Sequence, residues 1–477
     1  MSERRTDQAG RWLAFLLSLA LVRGLLYAAI IPPWMAPDEP RHFEHVRLIY
    51  ENGRLVSGSD LSLPIQRAII ASMDRFDFWR FGRFVNPRFR PGTLPQSFDD
   101  IWYPGEYNPD EPNMAHELHQ PSLYYALGAT VLYALPTDDV TMQLYVLRLL
   151  SVLICVVIVG LAYLVSRTLF PEEPALQLVV PSFVLFLPTY TFVSASVNND
   201  RLAELAAALV ISLLTLILAR GARPATVASL VGALLLALLA KRSALFTWGV
   251  AVVAGFLWLW ARSLRWDQWG RVVLVVVGVL VLGGLGWRLQ GGPSGRFAGF
   301  FSRQVVRATS LDPGAMLADL QANPDRYFWR PFRSFWGRFG WENVGFPDPW
   351  FVVPALFVLV AGLGLIVLCR QALAGRSPYA RWQWAAFCLF GVAIFLASVV
   401  NVVAVVAGNV GTQWVIFIPH GRYWFPVLIP IATLLSVGLM AWIPARYRAA
   451  GARLMVLSMV AYDVAAMTLV IIPFFYG

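Results

Sequence analysis

Two carboxylates and an imidazole sit close together in "PPWMAPDEPRHFEH" (32–45), directly after a long apolar run. Asp38 and Glu39, stiffened by Pro33, Pro37 and Pro40 and followed by His42, could act as catalytic acids or bases. The competing reading is a loop acid in which Asp38 caps a helix starting near Pro40. Four more short stretches carry side chains of similar promise. "HELHQPSLYY" (116–125) offers His116 and His119, which suit a substrate hydroxyl or a metal. "SVNNDRLAEL" (196–205) puts Asp200 at the end of an apolar run, where Asn and Asp also cap helices. "AKRSA" (240–244) holds Lys241, the only lysine in the chain, beside Arg242. "PHGRYWFPVLIP" (419–430) holds His420, Arg422 and Tyr423. Lysine as a point charge and arginine as a two-pronged donor are the side chains that grip a phosphate.

The elements that carry these residues are membrane spans. The chain of 477 residues is 58% hydrophobic and only 14% charged, against about 25% charged in soluble domains. Apolar runs of about 20 residues recur, enough to cross a ~30 Å hydrocarbon core. Their lack of alternation excludes a β-barrel. Spans are expected near 12–31, 143–166, 175–193, 202–219, 225–240, 244–261, 271–288, 350–369, 383–404, 422–443 and 453–474. This predicts a single all-α domain over 1–477 with about eleven spans. The first run reads as a retained helix rather than a cleaved signal, whose apolar core would be about 7–15 residues. Cys155, Cys369 and Cys388 lie within apolar runs and read as buried hydrophobes. The net charge of +10 comes from arginine clusters between runs, with no basic stretch interleaved with stacking aromatics, so no nucleic acid partner is expected.

Placing the clusters at Arg220/Arg223, Arg262/Arg265/Arg271, Arg370/Arg376/Arg381 and Arg446/Arg448/Arg453 in the cytoplasm sets the orientation. The N-terminus is then cytoplasmic. Two large extracytoplasmic loops follow, 32–142 and 289–349, and all five stretches fall on the outer side. "PSLYYALGATVLYALP" (121–136) is too short and too rich in tyrosine for a span, and reads as a juxtamembrane or re-entrant helix. Lys241 and Arg242 then defy the positive-inside rule, so an anion should offset them: a lipid phosphate or a bound substrate phosphate. Asp463, inside the last span, reads as an interhelical hydrogen-bonding group.

In order, "PDEPRH" (37–42), "HQPSLYY" (119–125), "NNDR" (198–201), "FWGRFGW" (335–341) and "GRYWFP" (421–426) resemble the pattern of GT-C-type glycosyltransferases. That polytopic class includes the protein O-mannosyltransferases and the lipid A aminoarabinose transferase. The nearest resemblance is to an uncharacterised prokaryotic membrane-protein family placed with that class. The chain departs from it at His119-Gln120-Pro121-Ser122, where related transferases have His-Pro-Pro. The resemblance implies a GT-C-like bundle with juxtamembrane helices in the first outer loop. It implies a polyprenyl-phosphate-linked sugar as donor and an essential acid at Asp38. A glycan, lipid or protein hydroxyl would accept the sugar in cell-envelope glycan synthesis, with inversion if transfer is a single displacement. Asp38 with Glu39 beside it would take the proton, since two adjacent acids disfavour double ionisation and raise one pKa. Lys241, Arg242, Arg422 and Tyr423 would hold the donor phosphate, while His42, His119, Asp200 and His420 would position substrate. If a divalent ion takes part, Asp38 and Glu39 would ligate it and Mg²⁺ or Mn²⁺ would fit.

Two alternatives use the same residues. A flippase for a lipid-linked saccharide would line a path through the bilayer with polar groups. A scaffold for envelope assembly would use the aromatic outer loops as partner surfaces.

Overall fold

The computed structural model describes residues 2–56, 60–81, 97–98, 118, 120–135, 137–262, 313–411 and 419–477. Among them the fold is helical, apart from a hairpin in which Arg338–Phe339 pairs antiparallel with Val344–Gly345. Eight helices are long and apolar enough to cross a membrane: Gln8–Ile30, Val140–Leu169, Asp200–Arg220, Arg242–Arg262, Asp348–Leu373, Arg381–Val402, Gly421–Met440 and Ala445–Tyr476. A ninth is bent. Pro188 drives Leu187 out of the helical region, to φ −73° and ψ 107°, so Pro174–Phe186 and Pro188–Ser194 meet at 58°.

The expected eleven spans are therefore eight or nine among the described residues. The run at 225–240 forms Pro224–Ala240, 17 residues long, about 25 Å; it is shorter than the eight, yet it carries the chain from Gly221 at one end of the bundle to Lys241 at the other. The run at 271–288 lies outside the described residues. Leu123–Ala134, in the segment expected to lie at the membrane edge, is a 12-residue helix packed on Glu39–Asn52 and Val140–Leu169.

The bundle has two distinct ends. At one lie the loop after the first helix, the start of Asp200–Arg220, Lys241 and His420. At the other, Gln383 Nε2 donates to the Leu169 carbonyl at 2.6 Å, Arg448 pairs with Glu173 at 3.3 Å, and Arg262 packs on Gly221. The described members of the arginine clusters, Arg262 and Arg448 among them, lie at this second end.

Asp200–Arg220 and Gly421–Met440 are the most enclosed spans, and Asp348–Leu373 the least. Two helices that bear site residues thus stand at the centre, where neighbouring side chains hold their rotamers. The buried charges of the first and last spans are paired with each other. Arg23 bonds Asp463 through Nε at 2.8 Å, and Tyr27 donates its hydroxyl to the same carboxylate at 2.6 Å. Asp463 is thus an interhelical anchor between the first and last spans.

Candidate functional site

The loop from Ile31 to Asp38 is built around one buried ion pair. Arg148, enclosed in Val140–Leu169, grips Glu39 with Nε at 2.9 Å and Nη2 at 2.7 Å. Its remaining donors reach the carbonyls of Ala28, Ile31 and Pro32 at 3.0, 2.7 and 3.1 Å. Glu39 also accepts the backbone N–H groups of Trp34 and Val197, each at 3.1 Å. Every guanidinium donor has a partner, and each carboxylate oxygen takes two hydrogen bonds. This is a correction to the expected roles of Glu39: no lone pair is left for a proton or a metal ion. Among the described residues no group of three or more His, Cys, Asp or Glu side chains could hold a metal.

That anchor leaves Asp38 in a constrained position. Trp34 and Asp38 take φ values of 72° and 62°, a left-handed region that costs a non-glycine residue about 1–2 kcal/mol. Asp38 precedes the helix Glu39–Asn52 without capping it through its side chain. Instead its carboxylate accepts from Arg422 Nη2 at 2.5 Å, with about 31% of the side chain exposed. Burial by itself would push this carboxyl up, but Arg422 and then His42 more than offset that and hold it well below the usual carboxylate range. The expected rise is thus reversed at Asp38, because its carboxylate faces Arg422. His42 is 2% exposed, and its Nδ1 shares a hydrogen bond with the Tyr125 hydroxyl at 2.9 Å. It stands behind Asp38 and reaches no open surface, which corrects its expected contact with substrate.

The second acid enters from the bundle's centre. Asn198 Oδ1 accepts the Asp200 N–H at 2.8 Å, and the Asn198 N–H donates to the Tyr124 hydroxyl at 3.1 Å. This fixes the turn into Asp200–Arg220 and aims Asp200 at Lys241, whose Nζ lies 2.5 Å from Oδ1. Lys241 thus has a protein carboxylate as one partner for its charge. Asn198 Nδ2 and both side-chain amide atoms of Asn199 are buried without hydrogen-bond partners among the described residues. Arg242 follows Lys241 in the 3-10 turn Arg242–Leu245, half-buried.

Arg422 is held by close backbone packing. A Cβ on Gly421 would lie 2.1 Å from the Phe335 nitrogen, and the Gly421 N–H donates to Ser334 Oγ at 2.9 Å. Beside it, His420 Nδ1 donates to Glu342 at 2.5 Å; a carboxylate only accepts, which fixes the tautomer. His420 thus clamps the hairpin through Glu342. Burial would raise Glu342, yet the His420 bond and charge, with Ser334 and Arg330, bring it down to about 2. Arg422 sits with its Cζ 5.7 Å from the Tyr423 ring centre. Tyr423 stands within electrostatic range of Arg422, Asp38, Lys241 and Asp200. Arg422 Nε and Nη1 are buried and have no hydrogen-bond partner among the described residues.

The structure therefore gathers Asp38, Asp200, Lys241, Arg422 and Tyr423 at one end of the bundle. His119 and His116 lie outside the described residues. Arg148 and Glu342 escaped the reading of the sequence, although Arg148 is the one charge within 143–166 and so demanded a partner.

Residues 109–431 match the model of a family described as "Predicted membrane protein (DUF2142)". The match takes in Asp200, Lys241 and Arg422 but begins after Asp38. The chain is similar to the crystal structure of ArnT from Cupriavidus metallidurans bound to undecaprenyl phosphate. The two share 14% identity and a TM-score of 0.46, over 97% of this chain and 74% of that one. A likeness of that degree carries no weight for chemistry. No protein of curated function matches the sequence.

Proposed function

From the premise that the chain belongs to the DUF2142 family of membrane proteins, we propose that it is a polyprenyl-phosphate-dependent glycosyltransferase. The observation that carries this reading is Arg422: a largely buried guanidinium already facing a carboxylate, with two further donors that meet no acceptor among the described residues. Such a group suits a phosphate oxygen, and Lys241 supplies a second cation close by. The polyprenyl carrier follows from the ordered sequence resemblance.

In the reaction, an acceptor hydroxyl oxygen attacks the anomeric carbon while the carbon–oxygen bond to the lipid phosphate breaks. The hydroxyl proton passes to the Asp38 carboxylate, and the phosphate leaves with its charge against Arg422 and Lys241. A single displacement inverts the anomeric centre. Because the arginine clusters lie at the opposite end, we place the site on the extracytoplasmic face of the plasma membrane, in envelope glycan synthesis.

The test uses purified protein in liposomes with a labelled sugar on a short-chain polyprenyl phosphate. Wild type should form a glycosidic product, and Asp38→Asn should lose at least about a hundredfold in rate. Full activity in Asp38→Asn would sink the base assignment. Translocation of lipid without product would favour a flippase.

A further inference from the structure

Asp38 and Arg422 are each asked to do two things at once. Arg422 binds Asp38 through Nη2 at 2.5 Å, while Nε and Nη1 of the same guanidinium are buried and find no partner among the described residues. A phosphate reaching those donors would bring its oxygens beside the Asp38 carboxylate on a single cation. Two like charges held on one cation repel each other. The second pair repeats the arrangement, with Asp200 on Lys241 at 2.5 Å, so the site meets an anion with both of its cations already engaged.

We propose that Asp38 is a built-in competitor for Arg422: it occupies the guanidinium until a phosphate displaces it, and that displacement releases the carboxylate to accept a proton. The inference rests on the donor site proposed above and adds a linkage to it. While bound to Arg422, Asp38 is a weak base, because the arginine stabilises its ionised form. Once the phosphate draws Arg422 away, the carboxylate loses that partner and gains an anionic neighbour, and both changes strengthen it as a base. Base strength thus appears only when donor is in place, which keeps the free site from abstracting protons to no purpose. The exposed third of Asp38 and its left-handed backbone suit a side chain that must leave its partner.

The sign of one substitution decides the matter. A carboxylate that only accepts the proton would leave donor binding unchanged when made neutral, and one that helped hold the phosphate would weaken it. A competitor predicts the reverse. If Arg422 is available a tenth of the time, removing the competitor tightens binding about tenfold. Calorimetric titration of the full-length detergent-solubilised protein with a short-chain polyprenyl phosphate should show Asp38→Asn binding about tenfold more tightly than wild type. Asparagine tolerates the left-handed backbone, and Asp38→Gly, which takes φ 62° freely, should tighten binding as well. The gain should vanish in the Arg422→Ala background. Inorganic phosphate as a parallel probe separates the sources: tightening with both probes assigns recognition to the headgroup, and with the lipid alone to the carrier. Equal or weaker binding by folded Asp38→Asn and Asp38→Gly would overturn the competition and leave the donor site standing. Absence of binding in wild type and every variant would overturn the donor reading, and the competition with it.

Discussion

Asp38 and Glu39 are adjacent in the chain and meet opposite surroundings. Glu39 is enclosed by Arg148 and two backbone N–H groups; Asp38 reaches a cation beside open space. Breaking a buried ion pair on one side leaves an uncompensated charge and costs about 3–5 kcal/mol. Glu39→Gln should therefore lower stability by about that much in thermal unfolding of the solubilised protein. Glu39→Gln with Arg148→Met should recover most of the loss without recovering transfer, because the loop bearing Asp38 stays unanchored. A recovered activity would mean that Glu39 has no positioning role. The sequence made Asp38 conspicuous as a carboxylate in a proline-stiffened turn. It did not divide the roles of the two acids, since Arg148 lies 109 positions from Glu39 and only the folded bundle brings them together.

Elements, rather than single side chains, set where Arg422 points. The "FWGRFGW" stretch packs its backbone on Gly421, and its hairpin brings Glu342 to His420. Gly421→Ala would put a methyl group into the Phe335 backbone, so the helix start must shift. Overpacking of this kind costs about 1–3 kcal/mol; we expect that loss in melting, together with weaker binding of a polyprenyl phosphate. Unchanged binding would show that Arg422 is positioned from its other side. The Glu342 clamp has a pH signature. Its folded pKa is about 2 against an ordinary 4.5, so its contribution is complete above about pH 4.5 and is lost as pH falls towards 2. That contribution is on the order of 3 kcal/mol. Melting temperature should fall across that window in wild type and fall less in Glu342→Gln, which starts lower. At this scale hydropathy located the long spans, and the Leu187-Pro188 break had a visible cause. The embrace of "FWGRFGW" and "GRYWFP" had none, because backbone contact between distant segments leaves no periodic trace in sequence.

As a whole, the molecule separates its chemistry from its arginine clusters. Two ion pairs join stretches that parity had assigned to one side: Asp38 with Arg422, and Asp200 with Lys241. Their shared end of the bundle agrees with that parity, and orientation across a bilayer can be tested directly. With Cys155, Cys369 and Cys388 replaced by serine, Arg54→Cys in intact cells should react with an impermeant thiol reagent. Arg376→Cys should react only after permeabilisation; the opposite pattern would invert the topology. Both positions are exposed. A further consequence follows from the single lysine. Growth on isotopically labelled lysine places one spin-active side-chain ammonium in a chain of 477 residues, and it lies 2.5 Å from Asp200 in the site itself. Its resonance would follow donor, acceptor and proton arriving there with no background from the rest of the protein, a spectroscopic window that the molecule's preference for arginine leaves open.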